Sequence, residues 1–175
     1  MIFLENYIKT VLYAYPLLKT VEEDYAEHIK NKAILSYDSR WDAERLTEYL
    51  AEEILSKNHL IWLRSMVDKV VDRLSETERA LLSIRYFGKA GSARTFSLQG
   101  KERGATVWSE RTYFRKQQRL GEKVAAMLRV SGVTKEVFDR DFSRLDIFRK
   151  IYRFVEEGRD RIIAADETRR LHKRV

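Results

Sequence analysis

Apolar residues return at helical spacing through most of the first 74 positions, and that period decides what the chain can become. Leu4, Ile8, Val11, Tyr15, Leu18, Val21, Tyr25 and Ile29 mark one stripe between Phe3 and about Leu35. Such a stripe predicts one long amphipathic helix. Pro16, the single proline of the chain, falls inside it. Proline removes a backbone donor and crowds the preceding turn, so a kink or a division into two helices is expected there. Ser36 to Asp42 reads as a turn, with Asp38, Ser39 or Asp42 placed to cap the next helix. From Glu44 to Leu74 a second stripe runs through Leu46, Leu50 and Ile54, then Leu60, Leu63, Val67, Val70 and Leu74. Lys57-Asn58-His59 is its weakest stretch, and a bend is expected there. Two long helices joined by a short loop suggest an antiparallel hairpin. At 1.5 Å per residue each arm would be roughly 45 Å long. Its stripe could close on the partner arm, on later helices or on a second chain.

The segment "LSETERALLSIRYF", residues 74 to 87, carries a capping box. Ser75 can accept from the amide of Glu78, and Glu78 can reach back to the amide of Ser75. Leu81, Leu82, Ile84 and Arg85 continue on a short helix that Phe87 and Gly88 end. The pattern then breaks down. Four of the seven glycines, Gly88, Gly91, Gly100 and Gly104, fall between Gly88 and Val107. At most one short helix, around Ala93 to Gln99, fits between turns there. Ser109 then caps a clear helix from Glu110 to about Val130, with Trp108 placed as a hydrophobic staple. Its inward stripe is Tyr113, Leu120, Val124, Met127 and Leu128, with Phe114 alongside, and Gly132 stops it. Thr134 to Phe142 reads as a short helix. Asp146 to Glu157 reads as another, with Ile147, Ile151, Phe154 and Val155 inward. Gly158 separates it from a last helix that ends in the basic tail "RRLHKRV". The expected fold is all-α. A long N-terminal helical hairpin (1–74) leads into a helix-turn-helix-like bundle (75–130), then C-terminal helices (131–175).

Composition narrows the function classes. The chain has no cysteine, so a disulfide framework and a thiolate metal site are excluded. That fits a reducing cytoplasm, the expected location. Met1 to Thr10 lacks a basic region and carries Glu5, Asn6 and Lys9, which makes a poor signal peptide. No run approaches the roughly 18 apolar residues of a membrane span, so no membrane partner is expected. His28, His59 and His172 are scattered, and the paired Glu-x-x-His pattern of a bundle di-metal site is missing. No phosphate-cradling Gly-Lys-Ser loop or zincin motif is present. Glu22, Glu23, Asp24 and Glu27 read as an exposed helix face rather than a catalytic pair. Neither an enzyme, a cofactor nor a metal is expected.

Charge points elsewhere. The net charge of +7 is unevenly spread. Met1 to Glu78 holds 10 cations and 15 carboxylates, whereas Arg79 to Arg129 holds 12 cations and 3 carboxylates. A concentrated positive field suits a polyanion, most often nucleic acid. The competing reading is a solvated surface rich in Lys and Arg. The concentration is sharpest in "WSERTYFRKQQRL", residues 108 to 120. With Tyr113, Leu120 and Val124 inward, helical spacing puts Arg111, Thr112, Arg115, Lys116, Gln118, Arg119 and Lys123 on the other face. The helix dipole favours cations at the opposite end, so this placement is locally unfavourable. DNA would offset that cost. Arg pairs with guanine in the major groove, Gln with adenine, and the Thr methyl meets thymine. Readers sit in the N-terminal turns of a recognition helix. Ser109 could also present an amide to phosphate. Lys101 and Arg103 are candidate phosphate contacts from the preceding loop, and a solvated loop is the competing reading. The C-terminal Arg169, Arg170, Lys173 and Arg174 could touch the DNA backbone, and a soluble end is the commoner reading.

These residues carry a resemblance. "LSETERALLSIRYF" with the later "WSERTYFRKQQRLGEKVAAML" resembles region four of bacterial sigma factors. The similarity is greatest to the sigma-like regulators of Firmicutes and their phages. Ser75, Glu78 and Arg79 match the family's Leu-Ser-x-x-Glu-Arg helix. Ser109, Arg111, Thr112, Arg115 and Leu120 match its Ser-x-x-Thr helix. The resemblance covers roughly residues 74 to 130. It implies a helix-turn-helix whose second element, here 110–129, lies in the major groove of promoter DNA. It also implies transcriptional control, with RNA polymerase as a partner. Where the family places a Glu-Ile-Ala helix and a Gly turn, this chain has "GKAGSARTFSLQGKERGATV". The N-terminal hairpin lacks the sigma segment that melts promoters.

The expectation is therefore a sequence-specific, double-stranded DNA-binding regulator, whose acidic hairpin meets RNA polymerase or a second copy in a homodimer. The alternative is a helical protein-interaction module, in which the hairpin is the working surface and the basic helix meets an acidic protein. RNA binding is a third reading, weakened because Tyr113 and Phe114 are expected inward, leaving no exposed stacking platform.

Overall fold

In a computed structural model, residues 4–35, 42–87 and 110–159 are described. These residues form six α-helices and no strand, an all-α fold. They are α1 (Asn6–Leu35), α2 (Ala43–Asp72), α3 (Glu76–Leu82), α4 (Glu110–Val130), α5 (Lys135–Asp141) and α6 (Asp146–Glu156). A single wider π turn, Ser83–Phe87, continues α3.

The first two helices form the expected hairpin. Asp42 caps α2, its carboxylate accepting from the amide of Glu44 at 3.3 Å. Helix α1 is not divided in two at Pro16, and α2 is continuous through Lys57, Asn58 and His59. Pro16 is exposed, which puts the missing bond on the wet side of the helix, where water can serve the freed carbonyl of Leu12. Leu12, Ala14 and Leu18, all fully buried, hold the turns on either side.

Helix α1 lies at the centre, packing against α2, α6 and the π turn, while α4 packs against α2 and α3. One continuous buried cluster joins the hairpin to the later helices. It includes Ile8, Val11 and Leu18 of α1, Leu63 and Val67 of α2, Leu120 and Leu128 of α4, and Phe138, Phe142 and Phe148. The three phenylalanines pack edge-to-face and tilted, with centroids 5.4 to 6.4 Å apart. Ile147 and Ile151 are half-buried and pack against the core as expected, and Phe148 beside them is fully buried.

The core stops partway along the hairpin. Near its end, beside the buried Leu60 and Leu63, lies a polar contact. Arg64 donates to Glu22 from Nε (2.6 Å) and Nη2 (2.8 Å), and Glu22 is buried. Glu22 therefore leaves the exposed acidic face expected of it, whereas Glu23, Asp24 and Glu27 remain there. Beyond this clasp, no described side chain from Glu23 to His59 is buried.

Candidate nucleic-acid interface

The elements that position α4 are built by the "LSETER" segment. Ser75 accepts from the amide of Glu78 at 3.3 Å, and Glu78 accepts from the amide of Ser75 at 2.9 Å, completing the capping box. Arg79 donates from Nε to the carbonyl of Leu74 at 3.1 Å and so secures the end of α2. The second task of Glu78 reaches across the fold. Both its oxygens accept from Lys123 of α4, at 2.8 and 2.9 Å. The Lys123 ammonium, and after it the Ser75 amide, holds the Glu78 carboxyl below its ordinary range. Ser75, Glu78 and Arg79 thus join the end of α2, α3 and α4 into one unit.

The roll of α4 about its own axis is set by Gln117. Its Nε2 donates to the carbonyl of Leu81 (2.8 Å) and to the hydroxyl of Tyr113 (3.1 Å). Tyr113, Leu120, Val124, Ala125 and Leu128 are buried on the same side. Gly121 is buried too, and a Cβ there would meet the Leu4 side chain at 3.7 Å. At the far end, Arg129 pairs with Glu5 at 3.1 Å. After Val130, Gly132 takes φ +92°, the left-handed conformation that ends the helix as expected.

Fixing the inner face also fixes the outer one. Arg111, Arg115 and Arg119 are exposed and spaced four residues apart, so they climb one side of α4. None of the three makes an ion pair with another described residue. Elsewhere the pattern is mixed: Lys19, Arg45, Lys69 and Arg153 also make no ion pair with a described residue, whereas other cations face nearby carboxylates. Lys135 pairs with Asp139, Arg140 with Asp141, Arg149 and Lys150 with Asp146, and Arg159 with Glu157. The other candidates on α4 are engaged within the chain. Gln118 donates to Glu122 at 3.1 Å, and Lys123 is held by Glu78. Thr112, half-buried, and Lys116, exposed, each engage a neighbour. Ser109, Lys101, Arg103 and Trp108 lie outside the described residues, as do the tail cations and the expected short helix within 88–107.

Phe114 is a correction. Expected alongside the core stripe, it is 45% exposed, beside Arg111, Arg115 and Gln118, and meets Tyr113 edge-to-face at 5.9 Å. Tyr113 and Leu120 claim the inner face, and Phe114 falls on its flank, where the described residues leave it open. Gln117 and Glu78 are not among the expected site residues. The signal for Gln117 lies in the spacing, which puts an amide among the apolar residues of the inner stripe.

Among the described residues no group of His, Asp and Glu is arranged to hold a metal ion, and no helix is long and apolar enough to cross a membrane. A shallow cleft between α1, α2 and the start of α6 is lined by Val21, Tyr25, His28, Glu53, Leu145 and Asp146. His28 Nε2 lies 2.6 Å from the Tyr49 hydroxyl beside it. Comparison of the chain with protein-family models, with curated proteins and with solved structures gives no match.

Proposed function

We propose that this protein binds double-stranded DNA through the outer face of α4 and acts in transcriptional control. The observation that carries the reading is the row of Arg111, Arg115 and Arg119, exposed and without ion pairs to other described residues, on a helix whose inner face is pinned. Eight residues of helix rise about 12 Å. A major groove is about 12 Å wide, so such a row can reach phosphates and base edges together. Thr112, Lys116, Gln118 and Lys123 flank the row and would contribute after exchanging their present partners. Ser109, Lys101 and Arg103 remain proposed contacts. The resemblance to sigma region four supports the same assignment, with RNA polymerase as a proposed partner and the cytoplasm as the proposed location.

Fluorescence anisotropy against a random pool of duplex DNA, titrated with salt, tests this. The wild type should bind with a steep salt slope, because each phosphate contact releases counterions. Replacing Arg111, Arg115 and Arg119 together with Ala should lower the logarithmic slope by about 3, near 0.9 per lost contact. Circular dichroism should show the helices unchanged. No binding at low salt, or an unaltered slope in the variant, would remove the proposal.

A second reading has its own observation. Beyond the Glu22–Arg64 clasp the hairpin exposes Ile34, Ile54 and Leu55. Exposed apolar residues on a two-helix protrusion suit a protein partner. We propose the hairpin tip as that surface, for polymerase or for a second copy. Light scattering with Ile54→Glu tests the second-copy version, which predicts a dimer in the wild type and a monomer in the variant.

A further inference from the structure

We infer that Phe114 is a base reader, placing its ring against the 5-methyl group of a thymine in the major groove. The inference rests on the duplex-DNA reading above and gives that interface a sequence preference. Three observations carry it. Phe114 is 45% exposed, which is costly for a ring of this size unless something covers it. It sits one turn from Arg111 and one turn from Gln118, so a duplex engaged by the arginine row would pass over it. Its inner edge rests on Tyr113, whose hydroxyl accepts from Gln117, so the ring is backed by a fixed surface.

In the major groove the thymine methyl is the one apolar feature of a base edge, and phenylalanine is among the side chains that meet it. Gln118, its neighbour one turn along, is the residue type that pairs with adenine. The two would favour sites where a thymine and an adenine are close together. Single-stranded nucleic acid fits the ring less well. Single-strand readers stack successive bases on several aromatics. On α4 Phe114 has only the buried Tyr113 beside it.

The test begins by selecting preferred duplexes from a random pool with the full chain. Each thymine of the selected site is then replaced singly by deoxyuracil, which removes only the methyl group. One position should lose about fourfold in affinity, the worth of one buried methyl. For Phe114→Ala that position should bind thymine and uracil duplexes equally, with the salt slope kept. Phe114→Leu should retain part of the difference. If the wild type selects and binds duplexes but ignores every thymine methyl, the inference on Phe114 falls and the DNA reading stands. If the wild type binds no duplex, both fall. Tighter binding to single strands, lost in Phe114→Ala, would overturn the thymine assignment in favour of base stacking.

Discussion

At the base of the α1–α2 hairpin, Leu60, Leu63, Val67 and Val70 are buried between α1 and the rest of the core. At the far end of the same helix, Leu46 and Leu50 are half-buried, and Ile54 and Leu55 are exposed. The residue types hardly differ. The difference is a further layer: α4, α5 and α6 cover the hairpin at its base, and towards the tip that cover thins to the start of α6, where Leu145 and Asp146 share a shallow cleft with Tyr25, His28 and Glu53. A helix pair alone buries one side of each stripe, and a stable core requires something over the other.

The largest effect should come from the base. Leu63→Ala should cost about 3 kcal/mol, the usual range for a filled core site, in chemical denaturation. The comparison breaks if Leu50→Ala costs as much. The clasp comes next. Arg64→Ala leaves the buried Glu22 carboxylate without its donors, which should cost about 2 kcal/mol, reduced from a fully buried pair because Arg64 is about one-third exposed. Glu22→Gln with Arg64→Met should recover part of the loss. The smallest effect belongs to the tip, where Ile54→Ala should change stability by less than about 0.5 kcal/mol. Hydrogen exchange sharpens that contrast: amides of α2 before residue 59 should exchange through openings well below the global unfolding free energy, and those around Leu63 only near it. Equal protection along α2 in dilute solution would mean that the tip is covered by another molecule.

Period and punctuation are what make parts of this fold legible in the sequence. The limits of α4 come from the apolar stripe at Tyr113, Leu120 and Val124 and from Gly132. The capping box of Ser75 and Glu78 can be read directly. The features that escape depend on neighbours far along the chain. A helical period tells which residues share a face but not how wide a cover that face receives. Phe114 therefore reads as internal, and Phe148 is missed beside Ile147 and Ile151, which do pack inward. Glu22 reads as part of an acidic surface because its partner, Arg64, lies 42 residues away. That α1 stays one helix across Pro16 depends on buried leucines on both sides of it, whose cover comes from other helices. The candidate site is legible as a set of cations, but not as a division between arginines with no ion pair among the described residues and the lysine committed to Glu78.

The hydrogen bonds of Gln117 also fix an angle. Turning α4 by one residue, about 100°, would break its bonds to Leu81 and Tyr113 and leave a half-buried amide without partners. Such a group costs roughly 1 to 3 kcal/mol. A basic helix free to roll would offer some cation to any polyanion from any direction. With its roll fixed, α4 presents its arginines along one bearing, so the shape of an approaching polyanion can matter as much as its charge.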